Sequence, residues 1–163
     1  GGHVIATVGS EEKAQLCRSW GVDRIINYKT EDVPTAIRSF TEENGVNVWY
    51  ETQREPDLVR TVGLMARRGR IVLMAGRTAQ PIFPVGPFYT RDLSLFGFAM
   101  FNSPPDEQRR CAEDIGRWLA EKKLHPQIGR IMPIAEAAAA HRLQEENTLH
   151  QAGTLTGKVV LTP

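Results

Sequence analysis

Several features that define large protein classes are scarce in this sequence. Only two cysteines occur, Cys17 and Cys111, and they lie far apart. Two isolated cysteines support neither a disulfide framework nor a zinc cluster, which would show paired C-x-x-C spacing. The formal net charge is only +1, so electrostatics gives no reason to expect nucleic acid or an anionic membrane as a partner. No apolar stretch approaches the ~20 residues that span a bilayer.

The apolar start, HVIATV, lacks the basic flank and the cleavage site of a signal peptide. The four histidines show no metal-ligand spacing. The 163 residues, with 41% hydrophobic and 24% charged side chains, suit a globular protein that can bury a core. We therefore expect a cytoplasmic protein that binds no metal.

Short apolar runs alternate with longer amphipathic ones, which predicts βαβ units around a parallel sheet, an α/β fold. We expect an N-cap at Ser10, a helix whose apolar, core-facing positions include Trp20, and a helix stop at Gly21. The proline- and glycine-rich stretch 78–92 predicts a long loop. After Leu124 the pattern changes to an extended segment, a helix and a last strand. The predicted strands are Val4–Val8, Ile25–Tyr28, Val46–Glu51, Ile71–Ala75 and Leu93–Phe101, and the predicted helices cover 11–20, 32–43, 56–67 and 105–123.

The end of the Val4–Val8 strand carries the first candidate site. In a dinucleotide-binding unit an acid at this position binds the free 2′-hydroxyl of NAD, whereas small polar and basic residues leave room for the 2′-phosphate of NADP. Here the strand ends in Thr-Val-Gly-Ser without an acid, and Lys13 follows one helical turn later. Tyr28, at the tip of the next strand, is placed to cover the adenine side. This set favours NADPH over NAD.

Each of these residues also has a purely structural interpretation. Ser10 is a good helix cap, Lys13 a solvated helix residue, and Tyr28 a packed aromatic. Glu11 and Glu12 would repel a phosphate. Spacing alone leaves both interpretations open.

A series of segments along the chain is specific in its order and spacing. The segments are VIATVGSEEKA, the G-V-D of SWGVDRIINY, GVNVWYE, GRIVLMAGR, LSLFG, KLHPQIGRIMPIAEAAAAH and GKVVL. In these segments the chain resembles the zinc-independent medium-chain dehydrogenases/reductases, in the NADPH:quinone oxidoreductase (zeta-crystallin-like) group.

The resemblance implies a Rossmann-type, doubly wound parallel sheet and a tail that belongs to a GroES-like catalytic domain. The implied division is 1–123 for the NADP-binding domain and 124–163 for the return segment. No G-x-G-x-x-G occurs in the sequence. We expect that the first strand and its glycine loop lie upstream, and that the fragment alone is inactive.

The resemblance also implies three groups of cofactor-binding residues and no catalytic residue. The first group meets the adenosine 2′-phosphate and ribose, the second lies under the nicotinamide, and the third positions the carboxamide with its backbone. In order they are Gly9, Ser10, Lys13 and Tyr28; Met74, Ala75, Gly76 and Arg77; and Phe98, Ala99 and Met100.

The sequence departs from the family pattern at three places. Thr52, Gln53 and Arg54 replace small residues and glycine after Glu51, and Ala75-Gly76 replaces the usual Val-Gly. The insertion ENTLHQAGTLT replaces a short basic turn, so no residue is assigned there.

The densest basic cluster is Arg67, Arg68 and Arg70. A phosphate role is conceivable. However, cations are favoured at a helix C-terminus by the helix dipole, and that interpretation is preferred here.

The function implied is hydride transfer from NADPH to a small-molecule substrate, a quinone or an enone. Alternatives are an enoyl-thioester reductase of the polyketide type and a non-catalytic, dimerising fragment. The apolar strand Leu93–Phe101 is expected at a sheet edge, where it could pair with its copy in a homodimer. A methyltransferase-like sheet is disfavoured because the ribose-binding acid is missing.

Overall fold

The computed structural model describes residues 1–150 and 152–163 and divides them into two compact units, Gly1–Asn102 and Ser103–Pro163. In the first unit the strands are β1 (Ile5–Val8), β2 (Arg24–Asn27), β3 (Val46–Glu51), β4 (Met65–Leu73) and β5 (Ser94–Gly97). Its helices are α1 (Glu11–Ser19), α2 (Val33–Phe40), α3 (Leu58–Gly63) and α4 (Val85–Tyr89), followed by a 3-10 turn at Met100–Asn102.

The strands of the first unit pair in parallel throughout, which confirms the predicted parallel α/β fold. β1 pairs with β2, and β4 lies between β3 and β5. Each helix follows a strand and returns the chain to the same end of the sheet, as parallel pairing requires. The carboxyl ends of the paired strands are thereby placed at a common edge.

Two hydrophobic clusters form the core of this unit. One contains Val62, Met65, Ile71 and Leu93, and the other contains Ile26, Ile37 and Leu64. The side chains of Val46 and Trp49 pack against both clusters. β3 therefore connects the packing of the two sheets.

The second unit is built from α5 (Pro105–Ala120), β6 (Ile128–Pro133), α6 (Ala137–Thr148) and β7 (Lys158–Thr162), with a 3-10 turn at Ile134–Glu136. β6 and β7 pair in parallel, and α6 contacts both strands. The insertion 146–156 includes Gln151, which lies outside the described residues. The division into domains at residue 123 stays a prediction.

One predicted helix is wrong in length and in how it ends. The helix expected over 56–67 is only Leu58–Gly63, and residues from Met65 onward form β4. Met65 pairs with Val46 of β3, and this long-range pairing overrides the local helical pattern. Arg67, Arg68 and Arg70 consequently lie on a strand, so the helix-dipole interpretation of this cluster is also wrong.

Three smaller predictions also fail. The loop expected over 78–92 contains the short helix α4. Pro87 is tolerated in its first turn, because the backbone N–H group that a proline lacks would have no helical partner there. The ring of Phe88 also packs on the ring of Phe83, with 4.9 Å between the ring centroids. The helix expected over 32–43 ends at Phe40. Trp20, expected on the buried face of α1, is 53% exposed.

β5 occupies the edge of its three-stranded sheet in the part of the chain that the structure describes, as expected. It spans only Ser94–Gly97 rather than Leu93–Phe101. None of the described helices is both long and apolar enough to cross a membrane.

Candidate functional site

The structure brings the first predicted group together where β1 and β2 end. The backbone N–H of Tyr28 donates to the carbonyl oxygen of Val8 at 3.1 Å, so the two strand tips lie side by side. Gly9 and Ser10 follow Val8 directly and lead into α1. This placement depends on the parallel register of β1 and β2, in which Val8 is the partner of Asn27.

Ser10 caps α1, as the structural interpretation predicted. Its backbone is extended and its Oγ accepts a hydrogen bond from the backbone N–H of Lys13 at 3.3 Å. The hydroxyl hydrogen is still available as a donor, because a serine hydroxyl both donates and accepts. The cap therefore positions the Ser10 hydroxyl at the first turn of α1 and leaves its hydrogen available to donate to a ligand.

The negative charge of Glu11 would repel an anion bound at this helix end, but its carboxylate forms an ion pair with Arg18. Its Oε1 accepts from Arg18 Nη1 at 2.7 Å, and this hydrogen bond raises the pKa of Arg18. Both side chains of the pair are more than half exposed, so water screens the interaction. Part of the negative charge in this turn is thus balanced within α1 itself.

Tyr28 packs directly over Gly9. A Cβ atom placed on Gly9 would lie 2.7 Å from Cζ of Tyr28, closer than real Cβ contacts allow. The turn that follows Tyr28 is stabilised by Glu31, whose carboxylate accepts from Arg24 Nη2 at 2.6 Å and from the backbone N–H of Asn27 at 2.9 Å. These bonds, the one from Arg24 first, lower the pKa of Glu31. The aromatic ring therefore sits at a defined place beside the Gly9–Ser10 corner.

The second and third predicted groups lie at the carboxyl ends of β3, β4 and β5. The backbone N–H of Phe98 donates to the carbonyl oxygen of Leu73 at 3.0 Å, and that of Met74 donates to the carbonyl oxygen of Glu51 at 3.2 Å. These bonds align the segment Met74–Arg77 with the segment Phe98–Met100. The side chains of Met74, Phe98 and Met100 are 39%, 48% and 59% exposed, so they are accessible at this edge.

The family departure at residues 52–54 contacts this second group. A Cβ on Gly76 would lie 3.2 Å from the carbonyl oxygen of Arg54 and 3.1 Å from Cδ of Pro56. The loop after β3 thus packs against the loop after β4. Any group bound over Gly76 is limited on this side by the Arg54 backbone.

Glu51 is a residue of this edge that the sequence analysis did not single out. Its side chain is 1% exposed, although it carries a carboxylate. Its Oε2 accepts from Trp49 Nε1 at 3.0 Å, and its Oε1 accepts from the backbone N–H of Gln53 at 2.8 Å. Glu51 therefore ties the loop after β3 to the strand. The sequence feature that could have identified Glu51 is its position as an acidic residue at the end of an apolar strand.

An open cleft of about 740 Å³ separates the two groups of strand ends. It is lined by residues of β1 from Ile5 to Thr7 and by the whole of β3, from Val46 to Glu51. Within the described residues, β1 pairs only with β2 and β3 only with β4, so each strand has one edge without a partner. The cleft thus lies between β1, which leads into the first predicted group, and β3, which pairs with the strand that leads into the second.

No group of three histidine, cysteine, aspartate or glutamate side chains in the described part of the chain is arranged to hold a metal ion. The strand ends place the Ser10 hydroxyl, the start of α1 and the backbone after β4 and β5 along one edge of the unit, an arrangement suited to an extended ligand.

Comparisons with known proteins agree with this architecture. A family model described as zinc-binding dehydrogenase matches residues 1–117. A 2-haloacrylate reductase of Burkholderia sp is 31% identical over 176 aligned residues, which cover 100% of this chain and 49% of that protein. A quinone oxidoreductase of Sus scrofa is 27% identical over 97% of this chain and 46% of its own length.

A solved structure of a 2-haloacrylate reductase matches with a TM-score of 0.80 and 28% identity, over 100% of this chain and 50% of that one. The chain spans about half the length of the curated relatives it matches. The resemblance inferred from the sequence is confirmed at the level of the family, as is its Rossmann-like fold. The chain belongs to the zinc-binding dehydrogenase family, and it corresponds to the nucleotide-binding part of the medium-chain dehydrogenases/reductases.

Proposed function

We propose that this chain is the cofactor-binding part of an NADPH-dependent reductase that transfers hydride to a quinone or an activated alkene. Two of its relatives are named for such acceptors, a 2-haloacrylate and a quinone. A 2-haloacrylate contains a carbon–carbon double bond polarised by a carboxylate, which is a hydride acceptor. The shared chemistry is therefore the reduction of an electron-poor double-bond system.

The observation that carries the choice of NADPH is the corner formed by Gly9, Ser10, Lys13 and Tyr28. Ser10, the N-cap, supplies a donor hydroxyl and Lys13, in the first turn of α1, supplies a positive charge, and the helix dipole also favours an anion at this end. No acid stands at the tip of β1 to bind a free ribose 2′-hydroxyl. The chemistry of this donor set fits a 2′-phosphate better than a diol.

The rest of the proposed site orients the nicotinamide. Met74–Arg77 would hold the nicotinamide ring, and the backbone of Phe98–Met100 would hold its carboxamide. The cofactor supplies the hydride when it is bound, and the residues of this chain contribute orientation and exclusion of water. We assign no acid or base to the chain, and we propose that the reaction is independent of zinc.

We also propose that the cleft between β1 and β3 takes a parallel strand in the whole protein, followed by the glycine loop that binds the pyrophosphate. The edges of β1 and β3 that have no partner among the described residues support this proposal, because an open strand edge presents backbone N–H and C=O groups that favour pairing. Val48 and Tyr50 of β3 are also 53% and 61% exposed, so one face of that strand is available for further packing. Without that strand we expect the fragment to be inactive.

The apolar edge strand β5 supports a homodimer as the assembled state. Leu95, Phe96 and Phe98 are 37%, 51% and 48% exposed, and pairing of β5 with its copy would cover them. We also propose that the protein is located in the cytoplasm.

Isothermal titration of the whole protein that carries this chain tests the choice of cofactor. We expect NADPH to bind at least about tenfold more tightly than NADH, since a charge-assisted hydrogen bond contributes about 1.5–3 kcal/mol. Lys13→Ala should weaken NADPH binding about tenfold and leave NADH binding unchanged. Lys158→Ala, an exposed lysine of β7, removes the same charge and should change neither affinity. Equal affinities for the two cofactors would contradict the proposal, as would a Lys13→Ala protein that binds NADPH normally.

The reaction is tested on the same protein by following consumption of NADPH with a quinone, a 2-haloacrylate and a crotonyl thioester. We expect turnover with the quinone or the haloacrylate. Turnover confined to the thioester would point to the enoyl-thioester reductase alternative, and no turnover with any of the three would overturn the proposal.

A further inference from the structure

A second cleft lies at the amino-terminal ends of β4 and β5, at the other end of the strands from the proposed cofactor edge. It is open, has a volume of about 780 Å³, and is lined by Arg67, Arg68, Arg70, Asp92 and Ser94. This volume falls within the range of about 300–1,000 Å³ that is usual for small-molecule sites. The cleft is separate from every residue assigned to the cofactor.

The charge of this cleft is strongly positive. Of its three guanidinium groups only that of Arg67 is paired, through Nη2 at 3.2 Å and Nε at 3.3 Å from Oδ2 of Asp92. Arg68 and Arg70 are exposed, and neither forms an ion pair with any residue that the structure describes. Two guanidinium groups in one cleft are therefore available to an incoming anion.

The backbone of the cleft adopts a costly conformation. Arg68 and Asp92 have φ values of 61° and 55°, in the left-handed region that non-glycine residues rarely enter. The backbone N–H of Arg68 donates to the carbonyl oxygen of Arg91 at 2.8 Å, so the two left-handed positions are connected. Strained positions of this kind persist where the surrounding structure enforces them, and they are common at ligand sites.

The side chain of Arg91 holds the backbone of the cleft in this conformation. Its Nη1 donates to the carbonyl oxygens of Val62 and Met65 at 3.3 Å and of Gly63 at 3.4 Å. The start of β4 is thereby fixed to the segment before β5. The backbone that carries the arginines of the cleft is therefore held in place by these hydrogen bonds.

We propose that this cleft binds a compact anion carrying several charges, of the diphosphate class. Guanidinium groups bind phosphate oxygens in a bidentate manner, and Arg68 and Arg70 line the same cleft, so each can bind one phosphoryl group of a diphosphate. A nucleic acid is disfavoured because the whole chain has a net charge of only +1. The proposal uses none of the residues of the proposed cofactor site, so either can fail without the other.

Titration of the chain with inorganic pyrophosphate at low ionic strength tests this proposal. We expect saturable binding that Arg70→Ala weakens about tenfold. Arg68→Gly should weaken binding to a similar extent and at the same time raise the urea midpoint, because glycine relieves the left-handed backbone. Weaker binding in a more stable protein cannot arise from loss of folding.

Two variants serve as matched controls. Arg109→Ala/Arg110→Ala removes two exposed arginines from α5 and should leave pyrophosphate binding unchanged. Lys13→Ala should also leave it unchanged, which distinguishes this cleft from the corner of β1. Absence of saturable binding, equal weakening in the α5 variant, or loss of binding in Lys13→Ala would each overturn the proposal.

Discussion

Replacing Gly45 with alanine is expected to lower the free energy of unfolding by more than about 3 kcal/mol, because two costs add at this residue. Gly45 has a φ of +78°, where an alanine side chain is unfavourable by about 1–2 kcal/mol. A Cβ there would also lie 2.7 Å from the backbone nitrogen of Ala66, the carbonyl oxygen of Leu64 and the carbonyl carbon of Met65. These backbone atoms cannot move aside without disturbing the pairing of β3 with β4.

Gly21→Ala is the matched control. Gly21 has nearly the same φ, +75°, but no atom lies within 4 Å of the position of its Cβ. Only the conformational cost applies, so we expect a loss of about 1 kcal/mol. Urea denaturation of both variants measures the difference. A Gly45→Ala chain without a cooperative transition agrees with the expectation, whereas a midpoint equal to that of Gly21→Ala contradicts the packing argument.

Glu51→Ala is expected to lower the free energy of unfolding by about 2–4 kcal/mol, since it empties a buried position and leaves two partly buried donors without an acceptor. The donors are the indole N–H of Trp49 and the backbone N–H of Gln53. Each unsatisfied buried donor costs about 1–3 kcal/mol, and the lost side chain also leaves a void next to Trp49. Trp49 packs against both core clusters, so the disturbance reaches both sheets.

Gln53→Ala isolates this effect. The exposed side chain of Gln53 is not the donor, and its backbone N–H is kept in the variant. We expect its stability to lie within about 0.5 kcal/mol of the parent. In a Trp20→Phe/Trp118→Phe background Trp49 is the one remaining tryptophan, and fluorescence during urea unfolding then reports on it directly. A Glu51→Ala protein as stable as Gln53→Ala would show that the buried carboxylate contributes nothing to the fold.

Local sequence signals predicted elements whose formation depends on neighbours in the chain. The cap at Ser10, the helix stop at Gly21 and the strand Val46–Glu51 all appear where the sequence placed them. A cap is a hydrogen bond across three residues, and a run of β-branched and aromatic side chains such as Val46–Tyr50 favours a strand locally. These interactions are encoded within a few positions.

Predictions failed where a distant segment decides the conformation. Residues 65–67 have a helical pattern, but pairing of Met65 with Val46 makes them strand. That pairing moved the arginine cluster from a helix end to a cleft beside Asp92, a residue 22 or more positions away in the sequence. Burial of Glu51 also escaped the sequence analysis, because an acid at a strand end is usually exposed.

The sequence by itself determined the parallel α/β class, the family, and the residues that follow each strand, since these depend on composition, order and short-range spacing. Only the tertiary structure decided which strand ends meet, that Tyr28 covers Gly9, and that Glu51 is buried. The physical reason is that contacts between segments depend on strand register and side-chain packing, and these are properties of the folded chain as a whole.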